Sequence, residues 1–225
     1  MYSPSNNKKK VEKRGITMIQ VVIIGTGGHG REAAWIISRC EEIQAIGFVT
    51  TDTTFHGKTL CGIPVLGNPE WLFGRSDILA VCAIGNPKAR EKVVTELSTK
   101  GVKFAQVIDP SAKICKFSEM GEGCLIFPMV IISTQVKIGN HVHINSKSSV
   151  SHDSIIEDFV TLAPSVSVCG NVKIKHGADI GVGASIIQRT IIGNGSIIGA
   201  GASVVNDIPD NVVAVGVPAK PIKSC

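Results

Sequence analysis

From Ile108 to Val204 every sixth residue is aliphatic: Ile108, Ile114, Met120, Ile126 and onward, without a break over seventeen positions. Four residues after each, the chain is small or β-branched almost throughout, from Ala112, Ser118 and Cys124 to Ala202. An α-helix would scatter a six-residue period over its whole surface, because it closes a turn every 3.6 residues. A sandwich strand alternates with period two and has no reason to hold a period of six for so long. A parallel β-helix does have one. Each hexapeptide is one short strand plus a corner, and stacked coils bury one aliphatic column per face. With three faces and eighteen residues per coil, the seventeen rungs predict between five and six coils. At the usual strand spacing such a prism is about 27 Å tall.

Composition agrees with a narrow interior, at 44% hydrophobic but only 4% aromatic residues. The net charge of +5 is concentrated at the start: Lys8, Lys9, Lys10, Lys13 and Arg14 against Glu12 account for four of the five charges. Residues 1–17 therefore read as a disordered, solvated basic tail, and the remainder offers no basic face for nucleic acid. The tail has no apolar core of the kind a signal peptide needs, and no run of eighteen apolar residues occurs anywhere, so a cytoplasmic protein without membrane attachment is expected. The seven cysteines form no CxxC pair and are odd in number, and Cys82 and Cys124 fall at apolar positions. They read as reduced core thiols rather than disulfides or zinc ligands.

Residues 18–106 precede the repeat and alternate strand with helix. Ile19 to Ile24 reads as a buried parallel strand, followed by Gly25-Thr26-Gly27-Gly28-His29-Gly30 and a helix from Arg31 to Arg39. Such a strand, glycine turn and helix bring backbone N–H groups to anionic oxygens. Further strands are predicted at Ala45–Val49, Asp77–Ile84 and Phe104–Val107, with a helix from Lys88 to about Lys100. This is one Rossmann-like βαβαβ half domain, too short for a two-halved dinucleotide site. Residues 107–208 form the β-helix and 209–225 a C-terminal segment.

The most specific strings are the glycine turn, Ala83-Ile84-Gly85-Asn86, Asn145 with Ser151-His152-Asp153, Cys169-Gly170-Asn171-Val172, and Gly216-Val217-Pro218-Ala219-Lys220. Together, over about Met18 to Ile222, the chain resembles the hexapeptide-repeat sugar acetyltransferases. These include the bacillosamine-type UDP-4-amino-sugar N-acetyltransferases, the GDP-perosamine N-acetyltransferases and the sialic acid O-acetyltransferases. The resemblance implies a left-handed parallel β-helix, a homotrimer, and acetyl-CoA as cosubstrate in the groove between neighbouring prisms, with no metal. It also implies N-acetylation of a nucleotide-activated, UDP-linked 4-amino-dideoxy-sugar held by the N-terminal domain.

Acetyl transfer from a thioester needs a base for the attacking amine, a donor for the oxyanion and an exit for the thiolate; histidine suits the first task. Of six histidines, His152 stands at a prism corner beside Asp153, with Gly170 one coil above leaving room over the ring. The resemblance makes His152 the catalytic base and Asp153 its orienting acid. It assigns Asn145, Thr161, Gly170, Val182, Ala200 and Lys220 to acetyl-CoA, and Gly27, Gly28, His29 and Gly85 to the sugar nucleotide. At Thr161 the bacillosamine-type enzymes carry a CoA-contacting histidine, and at Thr50-Thr51 a uracil-recognising pair of aspartates; both are replaced here. His29 is open to a second reading as a helix cap. His141 and His143, flanking inward Val142, are expected as solvated side chains, with a zinc pair as the alternative. The competing functions are O-acetylation of a sialic-acid-type sugar, a γ-carbonic-anhydrase-like metal hydratase, and a non-catalytic sugar-nucleotide-binding protein.

Overall fold

The computed structural model describes residues 18–225; the basic segment 1–17, expected as a tail, lies outside the described residues. The N-terminal unit is built from β1 (Ile19–Ile24), α1 (Gly28–Arg39), β2 (Ile43–Val49), β3 (Thr59–Leu60), β4 (Ile63–Gly67), β5 (Leu79–Cys82) and α2 (Pro87–Ser98). Its sheet runs β3-β4-β2-β1-β5, and β1 pairs in parallel with both β2 and β5. The apolar run of β1 is explained by this central place: Val21, Val22 and Ile23 have no exposed surface. The chain leaves β1 toward β2 on one side and later crosses to β5 on the other. The carboxyl end of β1 is therefore the switch point, where open α/β sheets form their ligand crevice.

Several boundaries differ from expectation: β2 begins at Ile43 rather than Ala45, and of the run Asp77–Ile84 only Leu79–Cys82 is strand. Helix α1 starts at Gly28, because the extended Gly27 releases the chain directly into a helical turn. A hairpin, β3 and β4, appears where no periodicity announced it; Cys61 and Gly62, both with positive φ, supply its tight turn. Phe104 makes only an isolated bridge to Ala80, and Val107, expected in the same strand, opens the β-helix instead.

The β-helix has seventeen two-residue rungs, from Val107–Ile108 to Ser203–Val204. Each pairs in parallel with rungs eighteen residues away, as His143–Ile144 does with Leu125–Ile126 below and Thr161–Leu162 above. The second residue of each rung points inward. Of these, Ile144, Leu162, Ile174 and Ile180 are fully buried. Three sheets result. One carries His143, Thr161, Asp179 and Ile197 as its outward residues. The next carries Ser149, Ser167, Ser185 and Ser203, and the third Ile155, Lys173 and Ile191. Inward polar groups are paired within the stack. The Ser148 hydroxyl donates to the Ala163 carbonyl (2.8 Å) and accepts from the Val166 N–H (3.1 Å), and Ser154 does the same with Cys169 and Val172. From Gly123 to Gly201 every corner places a residue in the left-handed region, including the bulky Met129 and Phe159. Each non-glycine instance costs roughly 1 kcal/mol, which the neighbouring coils' hydrogen bonds offset.

The cysteines are all free, but only Cys82 and Cys124 are core thiols; Cys61, Cys169 and Cys225 are exposed, because they fall on a turn, a prism corner and the chain end. Among the described residues no helix is long and apolar enough to cross a membrane.

The two units are tied at the end of α1 by Arg39, whose Nε donates to Asp109 at 2.7 Å while Ser111 donates its N–H and hydroxyl to the same carboxylate. Burial alone would raise the Asp109 pKa; the Ser111 and Arg39 donors outweigh it and hold the carboxyl below its usual range. A depressed folded pKa adds stability above the unfolded value of about 3.9, lost as pH falls through the folded value. Thermal melts of Asp109→Asn should therefore show a lower Tm at neutral pH and a flatter acid limb below about pH 4 than wild type.

Candidate functional site

Two loops end at the switch point: Gly25–Gly28 after β1, and Ile84–Asn86 after β5. Gly25 takes φ +105, and a Cβ on Gly30 would run into the Gly25 carbonyl, so both glycines are needed for strand to pass into helix this sharply. Gly27, Gly28 and Gly85 are different. A Cβ at any of them would meet nothing, so the space beside them is open. The first N–H groups of α1 have no intrahelical partner and no side-chain cap, which leaves them available to an anionic group in the crevice. The expected sugar-nucleotide residues Gly27, Gly28 and Gly85 thus lie at the ends of adjacent strands with open space beside each. At the neighbouring strand end Thr50 is engaged within its own loop, accepting from the Asp52 N–H and, through its carbonyl, bonding His56 Nε2.

His29 does not cap α1. Its ring turns toward the prism, stacks on Phe127 and His143 with centroids 5.1 and 5.0 Å away, and brings Nε2 to 3.0 Å from His143 Nδ1. Burial, and then the Arg90 guanidinium, push its pKa down to about 4. His141 and His143, expected in solvent, are buried. They point out of the prism but into the seam with the N-terminal unit, where His141 packs between Phe104 and Phe159. Among the described residues no three His, Cys, Asp or Glu side chains converge as metal ligands.

Arg90 was not singled out from sequence. It has no exposed surface, although it is the largest side chain in the seam. Its five N–H groups have five close acceptors, with longer contacts of 3.3 Å from Nη1 to His143 Nδ1 and from Nη2 to the Val160 carbonyl. Nε reaches the His141 carbonyl (3.0 Å), Nη1 the Ile84 and Gly85 carbonyls (2.8 and 2.9 Å), and Nη2 the Phe159 carbonyl (2.7 Å) and Thr161 Oγ1 (3.0 Å). The Thr161 hydroxyl in turn donates to Gly85. The signal for Arg90 was available: it shares the buried stripe of α2 with Pro87, Val94 and Leu97.

His152 stands far from this seam, on the edge joining the serine-bearing face to the third face. Its Nδ1 lies 2.7 Å from Asp153 Oδ2, and both side chains are about half exposed. Asp153 reaches back because its own backbone is left-handed, φ 59. The imidazole occupies the space expected for a ligand over Gly170: a Cβ there would fall 2.5 Å from His152 Cε1 and Nε2. The glycine makes room for the ring itself. Nδ1 donates to the carboxylate, which leaves Nε2 as the bare nitrogen beside a shallow groove lined by Cys169, Gly170, Asn171 and Arg189.

The expected acetyl-CoA residues divide accordingly. Asn145, Val182 and Ala200 follow the rungs of the interdomain face and share its edge with the serine-bearing face. Val182 is half exposed, while Asn145 is nearly buried and donates Nδ2 to the Leu162 carbonyl at 2.7 Å. Gly170 belongs to the His152 edge, and Thr161 is closed into the Arg90 seam. Lys220 is exposed at the start of the last strand, Lys220–Ser224. One whole face, roughly 15–20 Å wide for six residues, separates the His152 edge from the Asn145 edge.

Residues 20–97 match the PglD N-terminal domain family. Over 214 residues the chain is 35% identical to the GDP-perosamine N-acetyltransferase of Escherichia coli O157:H7, covering 89% of this chain and 95% of that protein. Its fold is similar to that of PerB from Caulobacter crescentus in complex with CoA and GDP-perosamine (TM-score 0.83, 32% identity, 90% of this chain and 96% of that one). It is also similar to the acetyltransferase domain of PglB from Neisseria gonorrhoeae FA1090 in complex with acetyl coenzyme A (TM-score 0.84, 28% identity, 91% and 100%).

Proposed function

We propose that this chain, which belongs to the family of nucleotide-sugar acetyltransferases represented by GDP-perosamine N-acetyltransferase, moves the acetyl group of acetyl-CoA to the amine of a nucleotide-linked 4-amino-dideoxy-sugar. The observation that carries the mechanism is the His152–Asp153 pair, with Nδ1 held at 2.7 Å and Nε2 bare at an open edge. The sugar amine attacks the thioester carbonyl and gives its proton to His152 Nε2, while Asp153 stabilises the imidazolium. The tetrahedral oxyanion is met by a backbone N–H at the corner, and its collapse breaks the C–S bond. The leaving thiolate takes the proton from His152, which resets the base. No acyl-enzyme forms, so both substrates occupy the site together.

The sugar's seat is the crevice beside Gly27, Gly28 and Gly85, which lies on the interdomain face. His152 is on the edge opposite that face, so the two halves of the reaction cannot meet within one chain. In the assembled enzyme the His152 edge of one copy faces the Asn145 edge of the next. Three prisms joined this way close a ring with three equivalent sites. Acetyl-CoA then lies in each groove, against Val182 and Ala200 of one copy and Gly170 of its neighbour, with Lys220 near its phosphates.

The GDP-linked amino sugar is the leading acceptor, supported by the 35% identical relative and by the absence of an acidic pair at Thr50-Thr51. Thiol release from acetyl-CoA should be fastest with GDP-perosamine among GDP-perosamine, a UDP-4-amino-4,6-dideoxy-sugar, CMP-sialic acid and free sialic acid. Faster turnover of a sialic acid would replace the amine by a hydroxyl, and turnover of none would remove the acetyltransferase reading.

A further inference from the structure

The protons of the buried seam are fixed by one arginine, and they fix a histidine at the crevice. Arg90 Nη1 lies 3.3 Å from His143 Nδ1. A guanidinium can only donate, so a hydrogen on Nδ1 would face another donor. Nδ1 must be the bare nitrogen of His143, and Nε2 must carry the proton. Among the described residues the other hydrogen-bonding group at Nδ1 is His29 Nε2, at 3.0 Å, which therefore has to donate. That sets the second ring as well: His29 is protonated on Nε2, and its Nδ1 is a lone pair. His143 Nε2 is buried with no partner at hydrogen-bond distance, and the Cys82 backbone carbonyl also faces the ring. The Glu32 carboxylate is 3.9 Å from His29 Nδ1, beyond hydrogen-bond reach, and is itself largely exposed.

We propose that Arg90 and His143 are positioning residues for the acceptor sugar: they hold His29 as a neutral, Nε2-protonated imidazole that offers Nδ1 as a hydrogen-bond acceptor at the crevice. The partner it fits is an N–H or O–H of the sugar. This rests on the crevice being the sugar's seat. The groups facing His29 are Arg90 from α2, His143 from the prism and Glu32 from α1; burial and Arg90 keep the ring neutral well below physiological pH. His29 therefore stays an acceptor at neutral pH.

Long-range proton–nitrogen NMR on histidine-labelled enzyme tests the tautomer directly, with His29→Asn and His143→Asn used for assignment. In wild type without substrate, both His29 and His143 should be protonated on Nε2 alone. His143→Leu removes the acceptor, so His29 should populate both tautomers and the KM for the nucleotide sugar should rise about tenfold, the worth of one hydrogen bond, with the KM for acetyl-CoA unchanged. His143→Asn places an amide oxygen where Nδ1 stood and should restore both the single tautomer and the KM. A His29 protonated on Nδ1 in wild type overturns the proposal, and this reading depends on no variant folding. So does a folded His143→Leu that keeps the wild-type tautomer and sugar KM. The NMR result needs no turnover. A wrong acceptor would abolish activity in every variant yet leave the tautomer as stated.

Discussion

Replacing His152 with alanine should lower kcat by a hundredfold or more, the usual contribution of a positioned general base, while leaving the KM for acetyl-CoA near its wild-type value. The side chain is half exposed, over Gly170 and beside Asp153 at a prism corner, so its removal takes nothing from the core. Tm should not change. Gly170→Ala is the companion test, because the added methyl displaces the imidazole from its place at 2.5 Å and should cost activity although His152 is present. Chains bearing His152→Ala, mixed and reassembled with chains bearing Asn145→Ala, should regain part of the activity, since in the proposed trimer some grooves then receive an intact edge from each. A His152→Ala enzyme as fast as wild type would remove it as the base. Failure to recover activity on mixing would place both edges' work within one chain.

The prism was legible from its sequence because its geometry admits almost no freedom. A narrow three-faced interior accepts one aliphatic residue per rung, so the period of six fixes which residues point inward from Ile108 to Val204. It does not say what covers the outward positions. His143 is outward from the prism and yet fully buried, because the N-terminal unit lies on that face. Periodicity places it only outside the prism, and on the interdomain face outside the prism is still inside the protein. The β3–β4 hairpin escaped for a related reason: its strands are two and five residues long, too short to show alternation, and its turn is signalled only by Gly62. The His152–Asp153 pair was visible as a motif, but its consequence depends on which edge it occupies. Only the three-dimensional order of the faces puts it opposite the crevice.

Arg90 should prove the most costly single residue to remove. Burial lowers its pKa to about 10, which leaves it charged at neutral pH, and among the described residues no carboxylate lies within ion-pair distance. Its charge is instead distributed over four carbonyls and a hydroxyl drawn from three segments: the β5 loop, the His141 corner and the Phe159–Thr161 rung. In Arg90→Leu these acceptors stay buried, and a leucine supplies none of the donors. Each orphaned group costs about 1–3 kcal/mol, partly relieved where water or a shifted backbone reaches it, for a net loss of about 4 kcal/mol. For a chain of this length that is a fall in Tm of roughly 10 °C, read by calorimetry. Arg90→Lys should lie between, keeping the charge with three donors in place of a planar five. Arg90→Met separates the two possible sources of loss, because it restores much of the volume and none of the hydrogen bonds. If Met is as poor as Leu, the unsatisfied carbonyls dominate; if Met matches wild type, the seam is held by packing alone and the network adds no stability.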